Sequence, residues 1–248
     1  MQTPLLELKD ISLSYHSEDG ETLALSHISF QVQPGEFVAI VGPSGCGKST
    51  MTKLISGLYK PWSGTIEFDG KPMEELNHMI FTSSVAVVDQ DIIMFEDSIR
   101  NNIKMWDQSI EDFEMIMAAK DASMHEEIML REGYDCKLTE GGKNFSGGQR
   151  QRLEIARVLA QDPSIVIMDE ATSALDAKTE YEVINAIKDR GITCIIVAHR
   201  LSTIRDCDEI VVMNYGEVVE RGTHEELMET CTVYQEIYES QTKEAQEA

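Results

Sequence analysis

The stretch that decides the fold is Phe37-Val38-Ala39-Ile40-Val41, followed at once by Gly42-Pro43-Ser44-Gly45-Cys46-Gly47-Lys48-Ser49-Thr50. The first part is a continuous apolar run, which is the pattern of a strand buried on both faces of a parallel sheet. The second part fits G-x-x-x-x-G-K-[ST], in which glycines let backbone N–H groups turn toward phosphate oxygens. We call residues 42–50 the phosphate loop. We expect the helix that follows, from about residue 48 to residue 56, to point its positive end at the phosphates.

Two further apolar runs predict buried strands of the same kind. Residues 164–168 follow the breaker pair Asp162-Pro163 and end in Asp169-Glu170, and residues 193–198 end just before His199. Adjacent strand residues point to opposite faces, so a functional carboxylate pair belongs where the strand ends and the chain can re-aim one of them. One carboxylate can then serve Mg²⁺ and the other a water molecule. Because ligands of doubly wound sheets sit at the carboxyl ends of strands, we expect four side chains around one site: Lys48, Asp169, Glu170 and His199.

A second glycine-rich segment lies far beyond the phosphate loop in the sequence. Phe145-Ser146-Gly147-Gly148-Gln149 opens a polar helical stretch that runs to Ala160. Serine and glycines at the start of a helix leave its N-terminal amides and its dipole to attract an anion. Each motif alone has a less specific interpretation, since phosphate loops occur in unrelated NTPases and a lone histidine is more often structural. An Asp-Glu pair alone usually only ends a strand or caps a helix. Their joint occurrence indicates a nucleotide site with two glycine-rich anion-binding segments.

Composition limits the possible partners and compartments. The 21 Lys and Arg against 44 Asp and Glu give a net charge of −23, which repels phosphate backbones, so we expect no nucleic-acid partner. No apolar stretch approaches the roughly 20 residues that span a bilayer, and the N-terminus lacks a signal segment, so we expect the chain itself not to cross a membrane. The Glu-rich end from about Glu225 to Ala248 is expected to be a solvated helix with a frayed tail. The cysteines show no metal-binding spacing and indicate cytosolic thiols: Cys46, Cys136, Cys194, Cys207 and Cys231.

From about Leu5 to Met228 the sequence strongly resembles the nucleotide-binding domain of ATP-binding cassette (ABC) transporters, with the motifs in the family's order. The resemblance implies an α/β fold: a P-loop NTPase core with a mainly parallel sheet, an N-terminal antiparallel β subdomain and an inserted helical subdomain. Residues 1–248 then form a single nucleotide-binding domain. Its ATP-binding core is residues 1–90 and 159–248, and its helical subdomain is about residues 91–158. Residues 146–149, which we call the signature segment, resemble the family's signature motif.

The resemblance also implies ATP and Mg²⁺ as ligands and ATP hydrolysis as the reaction. Tyr15 resembles the aromatic residue that stacks on adenine, and Gln90 resembles the glutamine that touches Mg²⁺ or the attacking water. Ser173-Ala174-Leu175-Asp176 resembles the loop that runs between two copies. The implied ATP-binding residues are Tyr15, Gly42, Pro43, Ser44, Gly45, Cys46, Gly47, Lys48, Ser49, Thr50, Ser146, Gly147, Gly148, Gln149 and Asp176. The implied Mg²⁺ ligands are Ser49, Gln90 and Asp169. The implied catalytic residues are Lys48, Gln90, Glu170 and His199.

Two partners follow from the resemblance. In the family the signature motif binds the ATP held by the other subunit, which implies a head-to-tail homodimer with two shared sites and a self-complementary interface. The second implied partner is the transmembrane domain of the transporter. The domain is therefore expected at the cytoplasmic face of the cell membrane.

Several stretches resemble exporters more than importers, namely residues 94–103, 139–142 and 198–203. Exporters normally carry their membrane helices upstream on the same polypeptide, so we expect this chain to be an excised C-terminal domain. Three stretches are similar to bacterial exporters of bacteriocin-type peptides, namely Asp89, Asn144-Phe145 and residues 151–157. Some of these exporters also carry a leader-cleaving cysteine protease domain. The alternatives are a freestanding importer ATPase, a non-transport ABC ATPase and a regulatory module that binds ATP without turnover. The intact Glu170 opposes the last of these.

Overall fold

The computed structural model describes residues 3–17, 20–198 and 200–247. Within them the strands are β1 (Leu6–Ser17), β2 (Gly20–Val32), β3 (Phe37–Val41), β4 (Ser63–Phe68), β5 (Lys71–Pro72), β6 (Val85–Val88), β7 (Ile165–Asp169), β8 (Thr193–Val197), β9 (Glu209–Asn214) and β10 (Glu217–Gly222). The helices are α1 (Lys48–Ile55), α2 (His78–Ser84), α3 (Ile99–Lys104), α4 (Asp112–Asp121), α5 (His125–Leu130), α6 (Gly147–Leu159), α7 (Ala177–Asp189), α8 (Leu201–Arg205), α9 (His224–Thr230) and α10 (Thr232–Glu247). The chain forms two compact units, one of Met1–Phe81 with Thr193–Ala248 and the other of Thr82–Ile192.

The first unit contains an antiparallel sheet built around β1, with the strand order β2-β1-β4-β5. Leu6 lies opposite Val32 on β2 and opposite Phe68 on β4, and all three side chains are buried. Lys9 lies on the exposed face, where its Nζ is 2.8 Å from a carboxylate oxygen of Glu67. The alternation of apolar and charged residues gives the sheet one face in the core and one in water. This sheet confirms the predicted N-terminal antiparallel β subdomain.

The first unit also contains the strand that leads into the phosphate loop. Strand β3 lies between β8 and β9 and pairs in parallel with both. Strand β10 pairs with β9 in the antiparallel direction. Every residue of β3 and of β8 is buried, which is why both strands are continuous apolar runs in the sequence. The predicted strand 37–41 is confirmed, and the predicted run 193–198 is confirmed with its end one residue earlier.

The second unit combines two parallel strands with a group of helices. Val85 of β6 lies opposite Ile165 of β7, and all of β7 is buried. A buried polar contact joins α3 to α6, since Arg157 Nε donates a 2.8 Å hydrogen bond to the Asn102 carbonyl oxygen. Arg157 also pairs with Glu154 on the same helix, and burial raises the pKa of the Glu154 carboxyl group. The insertion between β6 and β7 is therefore helical, as predicted.

The Glu-rich C-terminal end is helical, as predicted, but the described part of it is not fully solvated. It forms α9 and α10, and Leu227 and Tyr234 are buried to 0% and 1% exposure. Tyr234 shares a 2.9 Å hydrogen bond with Nδ1 of His224, and burial raises its pKa to about 12. The prediction missed this packing because an average over the segment hides the few apolar side chains that pack inward between exposed glutamates.

The fold class is the predicted one, an α/β P-loop NTPase core with an antiparallel sheet and a helical insertion. Among the described residues, no helix has both the length and the apolar character that crossing a membrane would require.

Candidate functional site

The phosphate loop connects the buried end of β3 to the N-terminus of α1. Gly47 is the N-cap of α1 and adopts φ 107°, a left-handed conformation that favours glycine. A Cβ atom at Gly47 would lie 2.9 Å from the Ala24 carbonyl oxygen, so glycine is also required by space. Hydrogen bonds from Cys46 N to Pro43 O (3.2 Å) and from Gly216 N to Cys46 O (3.1 Å) hold the loop closed. The positive end of the α1 dipole therefore lies at this loop.

Lys48 is the strongest local indication that this loop takes an anion. Its side chain is buried at 7% exposure, and Nζ donates to the carbonyl oxygens of Gly42 (2.7 Å) and Pro43 (3.1 Å). Within the described parts of the chain, no carboxylate forms an ion pair with it. Buried charges in proteins are normally paired. An ammonium group held by two carbonyl oxygens and by Cys46 Sγ at 3.9 Å, all uncharged, suits the phosphate groups of a nucleotide.

Tyr15 lies beside the same loop, on β1. Its ring is 42% exposed, and its hydroxyl group shares a 3.0 Å hydrogen bond with Thr50 Oγ1 in α1. The Tyr59 ring meets it edge-on with 6.0 Å between the centroids. The structure thus brings two predicted nucleotide contacts, Tyr15 and Thr50, together and leaves an aromatic face accessible for stacking. His199 lies outside the described residues.

The predicted carboxylate pair stands at the end of β7. Asp169 is the last residue of the strand and is buried, and Glu170 follows with φ 54°. Positive φ is uncommon for a residue with a side chain. The chain therefore turns sharply between the two carboxylates, as the sequence argument expected of a pair that serves two partners. Gln90 is exposed, two residues beyond the end of β6.

The signature segment begins α6 with a capping box. The Ser146 hydroxyl oxygen accepts a hydrogen bond from Gln149 N (3.2 Å), and the Gln149 side-chain oxygen accepts one from Ser146 N (2.7 Å). Because Ser146 uses its oxygen as the acceptor, its hydroxyl hydrogen can be donated outward. Ser146 and Gly147 are both exposed. The N-terminus of a regular helix is thus presented at the surface with a hydroxyl donor beside it.

The start of α6 packs against the loop that follows β7. A Cβ atom at Gly148 would lie 2.8 Å from the Ala174 carbonyl oxygen, so only glycine allows this approach. Gln151 joins the two segments, because its side-chain oxygen accepts from Ala174 N (3.0 Å) and its amide nitrogen contacts Glu170 O (3.5 Å). The sequence analysis missed Gln151 as a site residue, since a glutamine inside a polar helix gives no sign that it is buried.

Asp176 caps the helix that follows this loop. Its carboxylate accepts hydrogen bonds from Lys178 N (3.1 Å), Thr179 N (3.0 Å) and Thr179 Oγ1 (2.7 Å). The hydrogen bonds from Thr179 are the main reason that the pKa of Asp176 is held below its ordinary value. The structure gives Asp176 a local role as the N-cap of α7, and its predicted contact with ATP remains a prediction.

The residues predicted to bind Mg²⁺ would all do so through oxygen atoms, which are the ligands that this ion prefers. They are the Ser49 hydroxyl group, the Asp169 carboxylate and the Gln90 carbonyl oxygen. Over the described residues, no group of three or more His, Cys, Asp and Glu side chains forms a metal cage. Magnesium sites that use one or two carboxylates together with substrate phosphates need no such cage.

The predicted site residues fall into the two units of the chain. Tyr15 and the phosphate loop belong to the first unit. The second unit holds Gln90, the signature segment, the carboxylate pair and Asp176. The meeting of Lys48 with Asp169 and Glu170 stays a prediction.

The sequence matches one family profile and is similar to known proteins of that family. Residues 25–173 match the profile described as "ABC transporter". The chain is 42% identical over 239 residues to the ATP-dependent lipid A-core flippase of Saccharophagus degradans, covering 95% of this chain and 40% of that protein. It is also 42% identical over 246 residues to the mitochondrial iron-sulfur clusters transporter atm1 of Neurospora crassa, covering 95% of this chain and 34% of that protein.

A solved structure of a bacterial Atm1-family ABC exporter with ATP bound matches the fold with a TM-score of 0.89 and 36% identity, over 97% of this chain and 42% of that chain. The chain thus spans less than half the length of these relatives. The family profile covers more than half of the chain, and the similar proteins include a lipid A-core flippase and an Atm1-family exporter. The chain therefore belongs to the ABC transporter family, as the ATP-binding domain of an exporter-type member.

Proposed function

We propose that this chain binds and hydrolyses ATP to power an exporter, and that two copies pair head-to-tail with ATP shared between them. The observation that carries the proposal is the turn at the end of β7, where the buried Asp169 is followed by Glu170 with φ 54°. A degraded, binding-only domain has no need for the second carboxylate. The exporters among the matched proteins support the same conclusion.

The chemistry follows from the residues on either side of the γ-phosphate. Lys48 and the backbone amides of the phosphate loop hold the β- and γ-phosphates, and Tyr15 stacks on the adenine. Glu170 orients or deprotonates the water that attacks in line, and Gln90 positions it. His199 contacts the γ-phosphate. Ser49, Asp169 and Gln90 would hold Mg²⁺, which supplies positive charge next to the phosphate oxygens.

The second copy supplies the signature segment. Ser146 and the N-terminal amides of α6 bind the γ-phosphate of the ATP held on the partner's phosphate loop, with Asp176 nearby. The surface position of this helix N-terminus and the exposed hydroxyl group of Ser146 support that role. The remaining partner is a transmembrane domain, which places the chain at the cytoplasmic face of the cell membrane. The division into a core of residues 1–90 and 159–248 and a helical subdomain of residues 91–158 belongs to this proposal.

Solution mass tests the proposal directly. Glu170→Gln is expected to be monomeric alone and dimeric with Mg²⁺-ATP, because it binds ATP without destroying it. The wild-type specific ATPase activity is expected to rise with protein concentration, since an active site needs two copies. Adding Ser146→Arg to the Glu170→Gln variant should abolish the dimer and leave ATP affinity in dilute solution intact. A monomer under all conditions together with a flat specific activity would contradict the shared site.

The cargo is a separate question within the proposal. Export of bacteriocin-type peptides is supported by the similarity to such exporters at Asp89, Asn144-Phe145 and residues 151–157. The relatives at 42% identity are named for lipid A-core and for iron-sulfur clusters instead. Similarity of this degree in the ATP-binding domain supports export and does not favour a peptide over another cargo.

A further inference from the structure

The side chain of Gln149 is held from three directions. Its Oε1 accepts hydrogen bonds from Ser146 N (2.7 Å) and from Arg131 Nη2 (3.3 Å). Its Nε2 donates to a carboxylate oxygen of Glu127 on α5. Ser146 N and Arg131 are donors only, and the Glu127 carboxylate is an acceptor only. All three partners therefore select the same orientation of the Gln149 amide.

Glu127 is itself fixed in place. Its second carboxylate oxygen accepts a 2.7 Å hydrogen bond from Arg152 Nη2, and Arg152 Nη1 donates to the Ser123 carbonyl oxygen at 2.5 Å. Both side chains are largely withdrawn from solvent, with 27% exposure for Glu127 and 17% for Arg152. Charge-assisted hydrogen bonds of this kind are stronger and more directional than neutral ones.

Arg131, at the end of α5, holds the residues that precede the signature segment. Its guanidinium carbon lies 4.1 Å from the centroid of the buried Phe145 ring, and its Nη1 contacts the Asn144 carbonyl oxygen at 3.4 Å. The Glu127 carboxylate lies 3.9 Å from Arg131. Helix α5 thus touches the chain on both sides of Ser146, through Phe145 before it and Gln149 after it.

From these contacts we propose that Glu127 is a positioning residue for the signature segment. It orients the Gln149 amide so that Oε1 holds Ser146 N, which keeps Ser146 in its capping conformation with the hydroxyl group exposed. This inference rests on the proposed function, because it assigns Glu127 a role in the pairing of two ATP-loaded copies. It assigns Glu127 no contact with ATP.

The test compares variants of matched shape in the full chain. Glu127→Met keeps the length of the side chain and its helix propensity but removes both oxygens. Glu127→Gln restores one oxygen that can accept from Gln149. Glu126→Met makes the same change at the preceding, exposed residue of α5 and serves as the control.

Two measurements are made on each variant. The first is the solvent-exchange rate of the Gln149 side-chain amide by ¹⁵N NMR, with Gln149→Ala used for assignment. The second is the protein concentration at half-maximal specific ATPase activity, alongside ATP affinity in dilute solution. For Glu127→Met we expect both the exchange rate and the half-maximal concentration to rise about tenfold, the scale of one hydrogen bond to a charged group. We expect Glu127→Gln to recover part of both changes, because its amide oxygen can accept from Gln149 while its amide nitrogen cannot accept from Arg152. ATP affinity is expected to stay unchanged in all variants.

The outcomes separate this inference from the function on which it rests. Suppose that the specific ATPase activity of the wild type rises with protein concentration and that Ser146→Arg removes this rise. If Glu127→Met then behaves like Glu126→Met, the positioning role is wrong and the shared site stands. A wild-type activity that is flat with concentration and insensitive to Ser146→Arg overturns the shared site itself. A loss of thermal stability without a change in either measurement would reduce Glu127 to a structural residue and also overturn the inference.

Discussion

Glu170 adopts a backbone conformation that few glutamates adopt, with φ 54° directly after the last residue of β7. Residues held in sparsely populated conformations cost of order 1–3 kcal/mol and cluster at functional sites. The surrounding contacts hold this turn, since Ser173 N donates to the Glu170 carbonyl oxygen at 3.2 Å and Gln151 contacts the same oxygen. Two partners, Ser173 and Gln151, thus hold the Glu170 carbonyl oxygen at a turn that a glutamate rarely adopts.

Glu170→Gln is expected to lower ATP turnover by roughly 10²- to 10⁴-fold, the usual worth of a positioned general base. The substitution keeps the size of the side chain and one acceptor oxygen, and it replaces the basic, charged carboxylate by a neutral amide. The measurement is single-turnover hydrolysis with ATP affinity determined in parallel. Glu182→Gln, on the exposed part of α7, is the matched control and should hydrolyse at the wild-type rate. Unchanged turnover in Glu170→Gln would remove the residue from the catalytic role.

At the scale of elements, α3 and α6 are joined by polar groups that are almost completely buried. Asn102 and Arg157 are 1% and 6% exposed, and Arg157 pairs with Glu154 one turn earlier on α6. The Asn102 side chain also accepts from Phe95 N at 2.9 Å. Burial raises the pKa of Glu154, and Arg157 acts against that rise. The ion pair is thus part of the core of the second unit.

Arg157→Ala is expected to destabilise the chain by roughly 3–5 kcal/mol, because it leaves the Glu154 carboxyl group buried without its partner. Urea unfolding monitored by circular dichroism measures the change in the free energy of unfolding. Lys178→Ala removes a positive charge from an exposed ion pair on α7, whose lysine is 86% exposed, and should change stability by at most about 0.5 kcal/mol. If Arg157→Ala lowers the free energy of unfolding by less than about 1 kcal/mol, the ion pair with Glu154 is not needed for stability.

The elements that the sequence predicted well are those with a local signal. Strands β3, β7 and β8 are buried on both faces, so their residues alone identify them. The start of α6 was likewise predicted from the serine and glycines of residues 146–148. Contacts between elements leave no such trace: Glu127 lies 22 positions from Gln149, and nothing in either segment pairs them. The burial of Tyr234 within a Glu-rich tail escaped prediction for the same reason.

At the scale of the whole molecule, the net charge of −23 opposes the pairing of two copies. Raising the salt from ~20 mM to ~150 mM shortens the Debye length to about 8 Å and weakens this repulsion. We expect the ATP-driven dimer of Glu170→Gln to become more populated over that range, as measured by sedimentation at fixed protein concentration. ATP affinity measured in dilute solution at each salt concentration is the control. A dimer that weakens with salt would indicate that attraction between opposite charges dominates the interface.

The hydrogen bonds of Lys48 also bear on nucleotide exchange. Nζ donates to the carbonyl oxygens of Gly42 and Pro43, which belong to the loop itself, so the lysine helps to hold the shape of the loop. In the proposed function, a bound phosphate would replace these neutral acceptors with charged ones. Release of the nucleotide would return the ammonium group to the two carbonyl oxygens, so the exchange of one nucleotide for the next would leave no buried charge without hydrogen bonds.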